Sequence, residues 1–185
     1  MADTIQLERL IASANEFNGC QNWNEWREQN PDVKVDLTQA DLSWLNLIGV
    51  NLSEANLQGS DFTDANLSDA VLFWSDLSHC IFERATLVRA NLFQSNLDQS
   101  HWADANLRRA DLREANLRTA QHLGYDQIQH ALGSVATQLP VELPIPHKWR
   151  TIKTPRANDQ ILLSELGETL RAFTCRIDER LTEKS

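Results

Sequence analysis

The side chains that most often carry out chemistry in proteins are scattered along this sequence without a shared pattern. No two histidines have the spacing of a metal-binding motif, and they stand at His79, His101, His122, His130 and His147. No glycine-rich phosphate loop precedes a candidate helix. The sequence therefore predicts neither an enzyme, nor a resident cofactor, nor a metal site.

The cysteines give little reason to expect thiol chemistry. They are odd in number and far apart, at Cys20, Cys80 and Cys175. This usage fits a reducing compartment better than a framework of disulfide bonds. Cys80 falls where a small residue recurs every five positions, so we interpret it as a core residue rather than a reactive thiol.

Composition narrows the class of protein. The chain has 185 residues and a formal net charge of −9, which suits a single domain that free nucleic acid repels. No apolar run approaches the roughly 20 residues of a membrane-spanning helix, and the first residues lack the features of a secretion signal. We therefore expect a cytoplasmic protein with no membrane span and no direct nucleic-acid binding.

A five-residue repeat runs from Val35 to about Gln121. Each unit has a small residue, then Asp or Asn, then a large apolar residue, and finally two freer positions, as in the unit that begins Ala55-Asn56-Leu57. The large apolar residues are Leu37, Leu42, Leu47, Leu52, Leu57, Phe62, Leu67, Leu72, Leu77, Phe82, Leu87, Leu92, Leu97, Trp102, Leu107, Leu112 and Leu117.

This period determines the predicted architecture, because neither a helix nor a flat strand explains it. Large and small apolar residues two positions apart fall on the inside of a repeating bend. Four bends close a coil of about 20 residues, and coils stack at the strand spacing of roughly 4.8 Å. The units resemble those of the pentapeptide-repeat family, A-(D/N)-L-x-x, which implies a right-handed quadrilateral β-helix. We expect an all-β solenoid of about four coils.

Residues twenty apart should therefore stack on neighbouring coils. One interior column then contains Leu42, Phe62, Phe82 and Trp102, and offset stacking of its rings would help to fix the register. The Asp or Asn before each large residue is interpreted as part of the repeat, because short polar side chains satisfy the amides of a bend.

The sequence divides into four segments. Residues 1–34 are predicted as an N-terminal helical cap in which Trp23 and Trp26 plug the first coil, since a solenoid exposes an apolar core at its ends. Residues 35–121 form the β-helix. Residues 122–156 are predicted as a short helix closed by Gly133 and a proline-rich extended tail from Pro140 to Pro155. Residues 157–185 are predicted as an amphipathic C-terminal helix.

The C-terminal helix carries an apolar stripe that nothing inside the solenoid requires. Three arrangements stay open: the helix folds back, pairs with a second copy in a homodimer, or holds a different partner. The candidate association residues are Leu166, Leu170, Phe173, Ile177 and Leu181.

Aromatic residues at outward positions are the best candidates for a binding site. In the twenty-residue register Phe73 and Phe93 fall on one face, and we name the group Val71, Phe73, Trp74 and Phe93 the aromatic patch. One interpretation is a partner-binding surface with aromatic anchors. The other is that the C-terminal tail, either Trp149 or the last helix, lies across it. A separate outward residue, Trp44, is expected to lie under the N-terminal helices.

Charge is uneven along the repeat. Residues 36–83 contain eight acids and no Lys or Arg, whereas residues 84–120 contain four acids and six arginines. This bias indicates either an ordinary solvated surface or a docking surface of mixed sign that orients a protein partner.

Two functions follow from these observations. The first is a non-enzymatic scaffold or regulatory module that binds a protein partner whose identity stays open. The alternative comes from the family resemblance, because some pentapeptide-repeat proteins mimic duplex DNA and occupy the DNA site of type II topoisomerases such as gyrase. A protein that mimics DNA needs a long acidic face. The outward column Asp64, Arg84, Asp104 alternates in sign instead.

Overall fold

A computed structural model describes residues 2–16 and 19–150 of the chain. The repeat segment consists of short parallel β-bridges, each joining residues twenty apart. The first bridge pairs Asp36 with Asn56, and the series continues without a gap to His101 and Gln121. Two further bridges, Asp111 with Leu132 and Asn116 with Gln138, extend the stacking beyond the repeat. The predicted spacing of stacked residues is confirmed.

Each unit ends in a tight turn. The amide of Ala40 donates to the carbonyl of Leu37 at 3.2 Å, and Gln39 between them has a φ of 56°. A left-handed residue at this place is the mark of a type II turn, which usually needs glycine. In this chain charged, polar and aromatic residues all adopt the left-handed conformation, with φ between 54° and 62° at the non-glycine positions. Their side chains therefore stand at the corners of the coil.

The Asp or Asn side chains support these turns, as predicted. The Oδ1 atom of Asp61 accepts from the amide of Thr63 at 2.8 Å, and Oδ1 of Asn66 accepts in the same way from the amide of Ser68 at 3.1 Å. Backbone bonds join the coils: the Leu42 amide donates to the Asp61 carbonyl at 2.8 Å. These bonds pair the polar backbone groups of the repeat without long strands.

The large apolar residues point inward. All seventeen predicted central side chains, from Leu37 to Leu117, are at most 1% exposed. The Phe62 and Phe82 rings stack with centroids 5.1 Å apart, and Phe82 stacks on Trp102 at 4.4 Å. The predicted interior column is confirmed.

Two helices lie against the first coil. Helix α1 spans Thr4–Ala14 and helix α2 spans Gln21–Gln29. Trp23 of α2 is fully buried and its indole Nε1 donates to the Asn51 carbonyl at 2.8 Å. Trp26 is half-buried, with its ring centroid 5.1 Å from that of Trp23.

The other end is covered by the segment after the repeat. Helix α3 spans Tyr125–Ile128, and a 3₁₀ helix spans His147–Arg150. Trp149 is 1% exposed, and its Nε1 donates to the Ala131 carbonyl at 3.1 Å. Its ring lies so close to Gly133 that a Cβ there would sit 2.3 Å from it. Only glycine fits beneath this tryptophan.

Two sequence predictions for this end are wrong. The helix ends at Ile128 rather than at Gly133, because Gly133 is used to admit the Trp149 ring. The tail is not extended throughout, because burial of Trp149 draws His147–Arg150 into a 3₁₀ turn, with the Trp149 amide donating to the Pro146 carbonyl at 2.9 Å.

The predicted C-terminal helix, residues 157–185, lies outside the described residues. Among the residues that the structure describes, none of the helices is long and apolar enough to cross a membrane. The cytoplasmic location and the four segment boundaries stay predictions.

Candidate functional site

The aromatic patch lies on one face of the solenoid, built by the units around Leu52, Leu72, Leu92 and Leu112. Bridges join Asn51 to Val71, Val71 to Asn91 and Asn91 to Asp111, so four coils contribute to this face. The Trp74 amide donates to the Phe93 carbonyl at 3.0 Å. The register thus brings all four predicted residues together on two adjacent coils.

The four residues differ in exposure. Trp74 is 54% exposed, while Val71 and Phe73 are half-buried. Phe93 is only 6% exposed, because the Arg113 guanidinium of the next coil lies 5.8 Å from the centre of its ring. The expectation that Phe93 is an exposed part of the patch is therefore wrong. What reaches solvent is mainly Trp74.

Arg113 is held over Phe93 by a carboxylate on its own coil. Its Nη2 lies 2.6 Å from Oδ2 of Asp111, and its Nε also donates to this carboxylate. The hydrogen bond to Asp111 is the main cause that raises the pKa of Arg113, although partial burial opposes it. The guanidinium therefore stays charged and covers the Phe93 ring.

A ladder of hydrogen bonds orients Trp74. Its indole Nε1 donates to Oε1 of Gln94, and the side-chain Nε2 of Gln94 donates to Oε2 of Glu114 at 2.6 Å. These residues occupy the same corner of three successive coils. The Phe73 ring meets the Trp74 ring edge-on, with centroids 5.2 Å apart and an angle of 89°. Trp74 is thus fixed from two sides while more than half of it is exposed.

Nothing in the described chain covers this patch in the way that the sequence suggested. Trp149 is buried beside Ala131 and Gly133, so the interpretation that it lies across the patch is wrong. The last helix, the other proposed cover, lies outside the described residues. Trp44 is 75% exposed, so the expected shielding by the N-terminal helices is also wrong.

The charged columns form ion pairs between coils. Arg84 binds Asp64 at 2.6 Å, and Arg89 binds Asp69 at 2.5 Å, each pair twenty residues apart. Hydrogen bonds from the arginines hold the pKa values of both carboxyl groups below their usual range. Asp64 and Arg84, the first two charges of the alternating column, are therefore paired with each other, as are Asp69 and Arg89.

In the part of the chain that the structure describes, potential reactive groups do not converge. The described residues contain no cluster of three or more His, Cys, Asp and Glu side chains placed to hold a metal ion. Cys80 is fully buried, and burial raises its pKa to about 12. Its interpretation as a core residue is confirmed. One contact that the sequence did not suggest joins the rings of His101 and His122, with centroids 4.4 Å apart.

Sequence reasoning missed Gln94, Glu114 and Arg113 as parts of the candidate site. Each lies twenty residues from another member of the face: Gln94 from Trp74, Glu114 from Gln94, and Arg113 from Phe93. The twenty-residue register was available in the sequence and would have aligned them. What it does not give is which side chain folds over which neighbour.

Comparisons with known proteins point to one family. The family model described as pentapeptide repeats matches residues 36–72, 65–101 and 85–121, with eight copies. The chain matches no curated protein. Among solved structures, a pentapeptide repeat protein from the cyanobacterium Cyanothece 51142 is 34% identical; the match covers 57% of this chain and 64% of that one, with a TM-score of 0.43.

Two further solved structures are more distant. HetL from Nostoc sp. strain PCC 7120, a protein involved in heterocyst differentiation regulation, is 23% identical over 58% of each chain, with a TM-score of 0.37. QnrB1, a plasmid-mediated fluoroquinolone resistance protein, is 14% identical over 73% of this chain and 88% of that one, with a TM-score of 0.35. The chain spans less than two thirds of the length of the two cyanobacterial proteins.

Proposed function

Because this chain belongs to the pentapeptide-repeat family through residues 36–121, we propose that it is a non-enzymatic module that binds a protein partner through the aromatic patch. Pentapeptide-repeat proteins form right-handed quadrilateral β-helices. In such a solenoid the interior is filled by the repeat itself, so function belongs to outward residues. The observation that carries the proposal is Trp74, which is exposed and yet held in one orientation.

Two properties make Trp74 suitable as an anchor. Aromatic anchors dominate the free energy of protein interfaces. A side chain that is already fixed also loses less conformational entropy on binding, which improves affinity. Gln94 and Phe73 fix the Trp74 ring before any partner arrives.

Site-specific photocrosslinking tests this proposal. A photoreactive phenylalanine analogue replaces Trp74 in one sample and Gln99 in a control, and both are irradiated in extract of the source cells. Gln99 is exposed and has the same left-handed corner conformation on a different face. We expect one partner protein to crosslink from position 74 and not from position 99. The same bands from both positions would contradict the proposal.

The DNA-mimic alternative has less support. The acids at Asp64 and Asp69 are neutralised by Arg84 and Arg89 on the next coil. A surface that competes with duplex DNA needs continuous negative charge, about one charge per 1.7 Å of axis. We therefore expect no effect of this protein on DNA supercoiling by gyrase at micromolar concentration. Inhibition at that concentration would restore the alternative.

A further inference from the structure

Two arginines in the described part of the chain lie over aromatic rings. Arg9 of α1 lies 5.2 Å from the centre of the Trp26 ring, and Arg113 lies 5.8 Å from that of Phe93. Both covered rings are at least half-buried. On the patch, Trp74 is 54% exposed and none of the described arginines lies over it.

Carboxylates occupy several positions near Trp74 in the sequence and in the twenty-residue register. Glu54 occupies the same corner one coil earlier, where its amide donates to the Phe73 carbonyl at 3.0 Å. Asp76 follows two residues after Trp74, and Glu114 closes the hydrogen-bond ladder. None of these three carboxylates forms an ion pair among the described residues. Of these, Glu54 is the exposed carboxylate at the same corner as Trp74 on the adjacent coil.

The nearby cations are already engaged. Arg27 donates to the carbonyls of Val33 and Ser53, at 3.1 and 2.9 Å. Burial lowers the pKa of Arg27, and the charge of Glu54 partly opposes that change. Arg113 is bound to Asp111 and lies on Phe93. Neither arginine lies over the Trp74 ring.

We propose that Trp74 and Glu54 form a binding site for a cationic side chain, supplied by an arginine-containing or lysine-containing segment of the partner protein. The cation would stack on the exposed face of the indole, as Arg113 does on Phe93, with Glu54 as its counter-ion. Cation–π contacts are strongest with tryptophan, and opposite charges orient a partner during association. The proposal rests on the proposed function and specifies the chemistry of the partner.

A peptide titration tests the site with a defined probe in place of the whole partner protein. The probe is a short glycine–serine peptide with two arginines, and its twin carries citrulline, which has nearly the same shape and no charge. Binding is followed through the indole N–H signal of Trp74 in nitrogen-15 NMR, assigned with Trp74→Phe. We expect the arginine peptide to shift this signal and the citrulline peptide to leave it unchanged. Equal shifts from both peptides would overturn the proposal.

Three variants separate the site from general attraction to an acidic protein. Trp74→Ala should weaken binding of the arginine peptide about tenfold, with the remaining affinity measured from backbone amide shifts around Glu54. Glu54→Gln should weaken it about threefold. Trp44→Ala removes the other exposed tryptophan and should change nothing. No loss of affinity with Trp74→Ala would show that charge alone attracts the peptide, and a loss with Trp44→Ala would place the peptide at the other tryptophan; either result would overturn the site.

The two proposals can fail separately. If position 74 crosslinks a partner while the arginine and citrulline peptides behave alike, the interaction surface stands and the cationic site falls. If the arginine peptide binds as described but position 74 crosslinks no partner, the site binds cations and the protein-binding function fails.

Discussion

The same spacing of twenty residues places aromatic rings in two columns of this molecule, and the columns behave differently. Inside, Phe62, Phe82 and Trp102 stack nearly parallel, at 5° and 18°. Outside, Phe73 contacts Trp74 of its own coil edge-on at 89°, while Phe93 packs under an arginine. The neighbours of these rings inside are mainly apolar, so the coil spacing itself produces the stack. The surface offers polar partners, and these determine where each ring lies.

This contrast separates stability from function. A ring in the interior column is held by burial and by the side chains stacked above and below it, whatever residues lie on the surface. The orientation of Trp74 depends on two particular side chains, Gln94 and Glu114, which a filled core does not require. A solenoid of this kind can therefore change its outer column without changing its fold, which is how repeat proteins acquire binding surfaces.

The largest expected effect is in the interior. Phe82→Ala removes the middle ring of the stack and leaves a cavity between Phe62 and Trp102, where the coils cannot collapse. We expect a loss of about 3–5 kcal/mol in the free energy of unfolding, measured by urea denaturation. Phe82→Leu is the matched control, because leucine fills most central positions, and it should cost under about 2 kcal/mol. A loss below about 1 kcal/mol for Phe82→Ala would contradict the stacked interior.

The next prediction compares the contributions of two patch residues, Phe93 and Trp74, to stability. Phe93→Ala should destabilise the protein by about 2–3 kcal/mol, because Phe93 is nearly as buried as a core residue. Trp74→Ala should change stability by less than about 1 kcal/mol, because most of its ring is in solvent. Thermal and urea unfolding of the two variants would measure the difference. Equal losses would mean that Trp74 is a structural residue and not a free anchor.

The interior could be predicted from the sequence because the period links position to direction. Once the large residue of each unit points inward, the stacking of Phe62, Phe82 and Trp102 follows from arithmetic alone. The Asp and Asn side chains were predictable for a similar reason, because their hydrogen bonds are local, as in the bond that the Thr63 amide donates to Asp61. In both cases the partner lies at a fixed offset in the sequence.

The contacts of the patch and of the two ends were less predictable, because they depend on side-chain conformations that the repeat does not determine. The exposure of Phe93 depends on whether Arg113 extends into solvent or folds back onto the ring, and both fit the same register. Trp149 is buried through Gly133, sixteen residues earlier and outside the repeat. No periodic rule connects such a pair. Trp44 looked apolar enough to be covered, yet its corner conformation directs it outward.

A third prediction concerns the small inward positions. Cys80→Ser should change the free energy of unfolding by less than about 1 kcal/mol. Ser60 holds the same position one coil earlier, and its hydroxyl donates to the Leu37 carbonyl at 2.6 Å. The Cys80 thiol makes the equivalent bond to Leu57 at 3.0 Å. Urea unfolding near neutral pH would measure the change, and a loss above about 2 kcal/mol would mean that sulfur packing matters more than this bond.

The stability difference between Cys80→Ser and the wild type should depend on pH. Burial raises the pKa of Cys80 from 9.0 to about 12 in the folded state, so the folded protein keeps this proton when the unfolded chain has lost it. Stability from this group is complete below about pH 9 and is lost as the pH rises towards 12. The free energy of unfolding of Cys80→Ser should therefore rise relative to that of the wild type as the pH increases from about 8 to 10.5. Parallel unfolding curves for the two proteins over this range would contradict the assignment.

The smallest expected effect is on the outer ion pairs. Asp69→Asn removes the partner of Arg89, but both side chains are about half exposed, at 43% and 54%. Water and salt screen such a pair, so we expect no measurable shift of the urea midpoint at about 0.15 M salt. Arg89 lowers the pKa of Asp69, and any contribution is therefore present above the pKa of an unfolded aspartate and lost as the pH falls below it.

Asp64→Asn sharpens this last prediction, because it breaks the equivalent pair on the neighbouring corner. Both carboxylates accept two hydrogen bonds from their arginine, but the Asp64 side chain is 16% exposed and the Asp69 side chain 43%. Asp64→Asn should therefore lower the free energy of unfolding more than Asp69→Asn does. The difference between the two variants should shrink in high salt and below about pH 4. If both variants leave stability unchanged, the ion pairs are free to vary like the rest of the outer column. Only the interior column and the turns would then specify the fold.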